Sequence, residues 1–338
     1  MSVARSSQDA SIEELAVAAV ERMGIVGEGT APTLEHLAGG VSNDVVVVRT
    51  GTRAFVVKRA LPRLRTAEVW EASAGRSYTE AAALQWAGSV APEAVPEVVA
   101  VDRAHNVIVI ELAPEGFGNW KQQMLAGHVR PDVGSRLGAL LGAWHVDSAS
   151  DPALLAEFDD QEAFGQLRVR PFYTVAAERN PAAAPVLTDL VARMARTRAT
   201  LVHGDFSPKN ILVEPVGGGL WVIDWEVAHT GDPLFDVAFL LHHLVCKSLA
   251  RPDRRDEIIA TTERFVAAYA DATNEALGEL DGRYVLGHTA ALVLARVDGK
   301  SPVDYLSREQ RDDARRLALE VLREAPDGLA EFWRMIHV

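Results

Sequence analysis

Four side chains carry most of the chemistry that this sequence offers. His203, Asp205 and Asn210 stand in the stretch LVHGDFSPKNILV at 201–213, and Asp224 ends the run WVIDWE at 221–226. Two carboxylates and an amide oxygen are hard ligands suited to Mg²⁺ on substrate phosphates. A carboxylate in such company can also orient a hydroxyl and accept its proton. Spacing favours a single site. Residues 211–214 and 220–223 read as short strands, with Gly217, Gly218 and Gly219 as the turn between them. A hairpin brings its strand ends together, so Asp205, Asn210 and Asp224 are expected to converge.

The elements that must position these groups begin with a helix at 12–23, which has helical apolar spacing. Strands follow at 45–49 and 55–60, rich in β-branched residues and joined by a turn at 50–52. A helix is expected at 73–88, then strands at 96–101 and 107–112. Lys58 lies inside the apolar strand FVVKRA, where a lysine must find a counter-charge or solvent. Upstream, Gly39, Gly40, Ser42 and Asn43 lie in a glycine-rich stretch between the first two strands, where the backbone is able to approach phosphates closely.

After Leu112 the composition turns helical, with helices expected at 131–148, 184–198, 234–249, 256–274, 281–297 and 308–323. Small β-rich and larger α-rich parts make an α+β pattern. The expected division is an N-terminal helical extension at 1–33, a nucleotide-binding lobe at 34–112 and a catalytic, acceptor-binding lobe at 113–338.

HxDxxxxN followed by an aspartate at the end of the next hairpin strand resembles the aminoglycoside phosphotransferase and choline kinase superfamily, whose fold is bilobal and protein-kinase-like. The resemblance implies ATP or GTP as phosphate donor, Mg²⁺, and a small-molecule hydroxyl as acceptor. It implies Asp205 as the base that positions that hydroxyl, and Asn210 and Asp224 as metal ligands. Kinases pair a strand lysine with a helix glutamate; Lys58 and Glu80 match in order and element type. Gly39, Gly40, Ser42 and Asn43 then contact the nucleotide, and Glu111 to Ala113 form the hinge that holds its base. Asp236, in GDPLFD, is expected to buttress the catalytic loop. Two departures stand out: Trp225-Glu226 replaces Phe-Gly after the second aspartate, and the loop lysine is Lys209 rather than residue 207. The DWE and GDP pattern looks like kinase domains joined to acyl-CoA dehydrogenases, whereas KRALP at 58–62 is similar to methylthioribose kinase. The acceptor is therefore open among antibiotics, sugars, amino alcohols and hydroxyacyl metabolites.

The formal net charge of −13 argues against a nucleic-acid partner. No apolar run approaches the roughly 20 residues of a membrane span. A single cysteine, Cys246, excludes an intrachain disulfide and fits a reducing cytoplasm. A monomer or homodimer is expected. Plainer roles compete at several positions. His203 reads as a loop anchor, His242 and His243 as part of a packed helix, and Cys246 as buried and inert. Asp232, Glu226 and Asp298 read by default as solvated surface. ARVDGKSP at 295–302 has no assigned role. Two other functions compete with the kinase: a nucleotide-binding pseudokinase, and a metal-dependent hydrolase that would leave Lys58 and Asn210 without jobs.

Overall fold

A computed structural model describes residues 11–24, 31–37, 42–51, 53–65 and 70–336. The fold is α+β, and contacts divide it into two compact units: Met1–Gly116 with Trp221–Glu226, and Phe117–Leu220 with Val227–Val338.

The first unit is built on five antiparallel strands. They are β1 (Thr33–His36), β2 (Asn43–Thr50), β3 (Arg53–Ala60), β4 (Val98–Asp102) and β5 (Val107–Glu111), in the order β1-β2-β3-β5-β4. Helix α1 (Ile12–Arg22) precedes the sheet, and α2 (Arg76–Val90) lies between β3 and β4. Side chains alternate along a strand. Phe55 and Val57 of β3, with Val46, Val48, Val107 and Val109, form one core with Ile12, Leu15, Ala19 and Val20 of α1. The N-terminal helix is therefore the cover of this sheet face, and each fully buried leucine, isoleucine or valine contributes about 1.5–3 kcal/mol. A capping box starts α1: Ser11 accepts from Glu14 N–H while Glu14 accepts from Ser11 N–H. Alternation sends Lys58 to the opposite face. It pairs in register with Val45 on β2 and Ile108 on β5, in the middle of the sheet.

The second unit is mainly helical. It opens with β6 (Gly118–Asn119), α3 (Trp120–Leu125), α4 (Pro131–Ala149), α5 (Pro152–Glu157) and α6 (Glu162–Phe164). Next come a π-helix at Gly165–Thr174, α7 (Val175–Arg179) and α8 (Ala184–Arg196). Short strands β7 (Thr200–Val202) and β8 (Ile211–Val213) flank the loop of Asp205; β9 (Leu220–Val222), which from Trp221 on belongs to the first unit, and β10 (His229–Gly231) follow. The chain ends in α9 (Pro233–Ala250), α10 (Arg255–Leu277), α11 (Gly282–Asp298), α12 (Arg308–Glu324) and α13 (Leu329–Arg334). Helix α9 is long and apolar enough to cross a membrane by composition alone, yet 89% of it is buried in the protein. It is the core helix of its unit.

Helices α4 and α10 approach unusually closely. Gly134 and Gly138 sit one turn apart on α4, and a Cβ on either would fall 2.1–2.2 Å from a carbonyl oxygen of α10, that of Thr261 or Phe265. Only glycine allows backbones this close. The pairing fixes His145, further along α4, against Tyr269 of α10, with its Nδ1 2.9 Å from the Tyr269 hydroxyl.

Candidate active site

In the first unit, α2 turns Arg76 and Glu80 toward the sheet, because residues four apart share a helix face. Both are buried, with Ala83, Leu84 and Ala87 continuing the stripe. Glu80 receives Lys58 Nζ at 2.5 Å, and the same amine lies 2.8 Å from Asp224 Oδ1. Arg76 Nε donates to Glu226 Oε2 at 2.9 Å. Thus the two acids of DWE, set two residues apart, are each gripped by a buried cation. Asp224 adopts a left-handed backbone, φ 70°. Aspartate tolerates that region better than most residues.

Burial works to discharge Lys58, but the carboxylates of Asp224 and Glu80 outweigh it and hold the amine well above its ordinary value. Burial likewise pushes Glu80 up, to about 7, against the pull of Lys58. Three carboxylates, Glu80, Asp224 and Glu226, thus gather around two cations, Lys58 and Arg76. A further cation suits that surplus, and Asp224, with 18% of its side chain exposed, is the more accessible member of the Lys58 pair.

Arg76 also holds backbone carbonyls. Its guanidinium donates to the carbonyls of Ser42 (2.5 Å), Leu61 (2.9 Å) and Ser73 (2.7 Å). Asn43 donates to Glu226 at 2.9 Å and to Ser42 Oγ at 3.1 Å, so its amide nitrogen is spent inside the unit. Gly39 and Gly40 lie outside the described residues. Glu111 closes β5, with its N–H donated to the Glu97 carbonyl at 2.9 Å. Ala113 follows in irregular chain and is half-buried.

In the second unit, the loop between β7 and β8 is held from below by Asp236 of α9. Asp236 accepts the N–H groups of His203 (2.6 Å) and Gly204 (2.9 Å) and the Nε2–H of His145 (3.4 Å). Burial opposes ionisation of Asp236, but the hydrogen bonds and charges from His145 and His203 win and keep it below the usual carboxylate range. Gly204 has φ 74°, and a Cβ there would meet the Val227 carbonyl at 2.6 Å. His203 Nδ1 accepts the Asp205 N–H at 3.1 Å, an anchoring contact.

Asp205 is buried, and its carbonyl accepts Asn210 Nδ2 at 3.0 Å. That bond points Asn210 Oδ1 the other way, as an oxygen ligand would need. Two cations reach Asp205 Oδ2, Arg168 and Lys209, each at 2.8 Å. Arg168 also donates to the Gly204 carbonyl at 2.8 Å and lies over the Phe239 ring, 5.5 Å from its centroid. No sequence motif announces Arg168; it is delivered by the π-helix, a form that recurs at functional sites.

The solvated-surface reading fails for the other acids. Glu226 is buried against Arg76. Asp232 caps α9 and accepts the Tyr284 hydroxyl at 2.9 Å. Asp298 is clasped by Arg315 and Asn180. These partners are too distant in sequence to read from local pattern. His242, His243 and Cys246 are buried in α9, and burial pushes the Cys246 thiol up to about 11.

Residues 33–282 match the family model described as "Phosphotransferase enzyme family". Methylthioribose kinase 1 of Oryza sativa subsp. japonica is 24% identical over 266 residues, covering 68% of this chain and 60% of that protein. The chain thus spans less than two thirds of the rice enzyme's length. Methylthioribose kinase of Bacillus pumilus is 26% identical over 280 residues, 73% of this chain and 70% of that one. The fold is shared with choline kinase LicA from Streptococcus pneumoniae, solved in complex with AMP. There the TM-score is 0.56 at 14% identity, over 94% of this chain and 100% of that one.

Proposed function

We propose, for a chain that belongs to the phosphotransferase enzyme family, that it transfers the γ-phosphate of ATP to a hydroxyl of a small molecule. The observation that carries this reading is the buried Lys58, ion-paired at once to Glu80 and Asp224. A strand lysine held by a helix glutamate is the phosphate-steadying device of kinases. In this reading Lys58 contacts donor phosphates and the first unit serves the nucleotide. The adenine nucleotide bound by LicA supports ATP as donor.

Asp205 does the acceptor work. Its Oδ1 orients the hydroxyl and takes its proton, while Arg168 and Lys209 fix Oδ2. Asn210 and Asp224 each offer a hard oxygen to Mg²⁺. Mg²⁺, when bound with the nucleotide, neutralises phosphate charge. Positioning and charge complementarity account for most of the rate in such reactions. The related methylthioribose and choline kinases make a sugar or amino-alcohol hydroxyl the first acceptors to try.

The test is nucleotide consumption by the purified protein with Mg-ATP and Mg-GTP across a panel of hydroxylated acceptors, with Asp205→Asn alongside. A turnover that falls roughly 10²–10⁴-fold in the variant, the usual worth of a general base, supports the assignment. Undiminished turnover removes Asp205 from the mechanism. Nucleotide binding without turnover of any acceptor favours a pseudokinase.

A further inference from the structure

Helix α9 carries a lysine where a core helix should carry none. Lys247 is fully buried, and among the described residues its one hydrogen bond is a long one, 3.4 Å to the carbonyl of His243. No carboxylate among the described residues pairs with it. A buried charge without a partner is costly, and proteins usually neutralise it or supply a counter-ion.

The neighbours add positive charge, and the carboxylate at the edge of the group, that of Asp304, is 84% exposed and lies 3.7 Å from Lys121 Nζ rather than beside Lys247. Tyr305 lies between two amines, with its ring centroid 5.6 Å from Lys247 Nζ and 5.4 Å from Lys121 Nζ. The Tyr305 hydroxyl is buried and has no hydrogen-bond partner. Arg296 is close enough to act electrostatically on Lys247, His242 and His243. It bonds Ser301 Oγ at 2.9 Å, while its Nε is buried and unpartnered. Burial, with Lys121 and Arg296 nearby, pulls the Lys247 amine down to about 7.

ARVDGKSP at 295–302 is what holds Arg296 in this place. Gly299 packs so tightly that a Cβ would lie 2.4 Å from the Ala295 carbonyl, and Lys300 N–H donates to the Pro171 carbonyl of the π-helix at 3.2 Å. Asp298 is clamped by Arg315. The end of α11 is thereby docked on the same π-helix that presents Arg168 to Asp205. The cluster also borders the catalytic loop: Lys121 N–H donates to the Pro208 carbonyl at 2.9 Å, and Lys209 acts electrostatically on His243.

We infer that Lys247, Arg296, Tyr305 and Lys121 form an oxyanion-binding subsite beside the catalytic loop, and that the acceptor hydroxyl belongs to a molecule carrying a carboxylate or phosphate group. Such an anion supplies what the cluster lacks: a counter-charge for Lys247 and acceptors for the Tyr305 hydroxyl and Arg296 Nε. The acceptor part of the inference rests on the kinase reading; anion binding itself does not.

The test is calorimetric titration of the full chain with inorganic phosphate, and separately with acetate, using wild type, Lys247→Met, Arg296→Gln and Lys58→Met. Saturable phosphate or acetate binding is expected, weakened at least about tenfold by Lys247→Met and by Arg296→Gln and retained in Lys58→Met. The stronger of the two probes identifies the oxyanion class. Lys247→Met keeps the side-chain volume and removes an unpaired charge, so it should melt at or above the wild-type temperature. Arg296→Gln gives a second reading of the same site. Absence of saturable binding overturns the subsite, as does binding that only Lys58→Met abolishes, or that neither Lys247→Met nor Arg296→Gln weakens. Phosphate binding of the expected pattern with turnover of uncharged acceptors but of no hydroxy acid or sugar phosphate would overturn the anionic acceptor, and absence of turnover with every acceptor would sink the kinase reading instead.

Discussion

Lys58→Met should expose the energetics of the first unit's charge network. The amine is shared by Glu80, 1% exposed, and Asp224, 18% exposed. Removing one member of a buried ion pair typically costs about 3–5 kcal/mol, because the partner stays buried and unpaired. Two features reduce that figure here. Burial already pushes Glu80 up to about 7, so it takes a proton readily once Lys58 is gone. Asp224 has partial access to water. The expected loss is therefore about 2–3 kcal/mol at pH ~7.5. Its pH dependence follows from the sign of the Glu80 shift. A carboxyl with a raised folded-state pKa stabilises most below its ordinary pKa of 4.5 and loses that contribution as pH rises through about 7. Acidification toward pH ~5.5 should therefore narrow the gap between variant and wild type. Urea denaturation of wild type, Lys58→Met, Glu80→Leu and the double variant closes a thermodynamic cycle. Coupling of about 1.5 kcal/mol or more is expected, since the double variant has neither orphaned charge. Additivity within about 0.5 kcal/mol, with a gap that ignores pH, would show that the pair is not energetically real.

Three further outcomes are expected. Arg168→Gln should lower kcat about 10–100-fold while leaving the KM for nucleotide within about twofold, with partial recovery in Arg168→Lys, because the change loosens the base and leaves phosphate contacts alone; wild-type kcat would refute the clamp. Gly138→Ala forces a Cβ to within 2.2 Å of the Phe265 carbonyl and should cost about 3 kcal/mol, the upper end for overpacking; an unchanged melting temperature would mean that the helices separate at no cost. Lys247, pulled by burial to about 7 from an ordinary 10.5, leaves the folded state with fewer protons than the unfolded state between those values. Stability should therefore climb as pH rises across that window, by at most about 1.4 kcal/mol per pH unit, and the climb should flatten in Lys247→Met. Parallel curves for the two proteins would refute the shift.

The parts of the site that were legible from the sequence are those with local signatures. Lys58 is conspicuous because a charge interrupts an apolar strand, and Glu80 because the next helix must face that strand. Asp205 and Asn210 are fixed by loop spacing, and the structure places the amide of one on the carbonyl of the other. The unreadable parts depend on tertiary partners. Arg76 looks like any helix-start arginine until Glu226, 150 residues later, is placed against it. Arg168 lies in a stretch containing Pro171, which discourages a helix prediction; a π-helix accommodates it. Lys247 hides inside an otherwise apolar helix, where a single lysine looks like a solvent-facing position. The sequence alone reads the first helix as an N-terminal extension because its apolar stripe names no partner, although the strand alternation of β3 leaves an apolar face that some element must cover.

The membership of Trp221–Glu226 in the first unit has a consequence for how the protein is made. Synthesis is directional, and the whole of 117–220 emerges before Asp224 and Glu226 do. At about 5–20 residues per second, the nascent sheet waits on the order of 5–20 s for them. During that interval Arg76 has no carboxylate and Lys58 has only half its cradle. A message truncated anywhere before codon 224 therefore yields a first unit in which Arg76 lacks Glu226 and Lys58 keeps only Glu80. The sheet and its two helices are thus not a separable module that could be copied, fused or expressed by cutting the gene at residue 116. Their last six residues are encoded inside the other half.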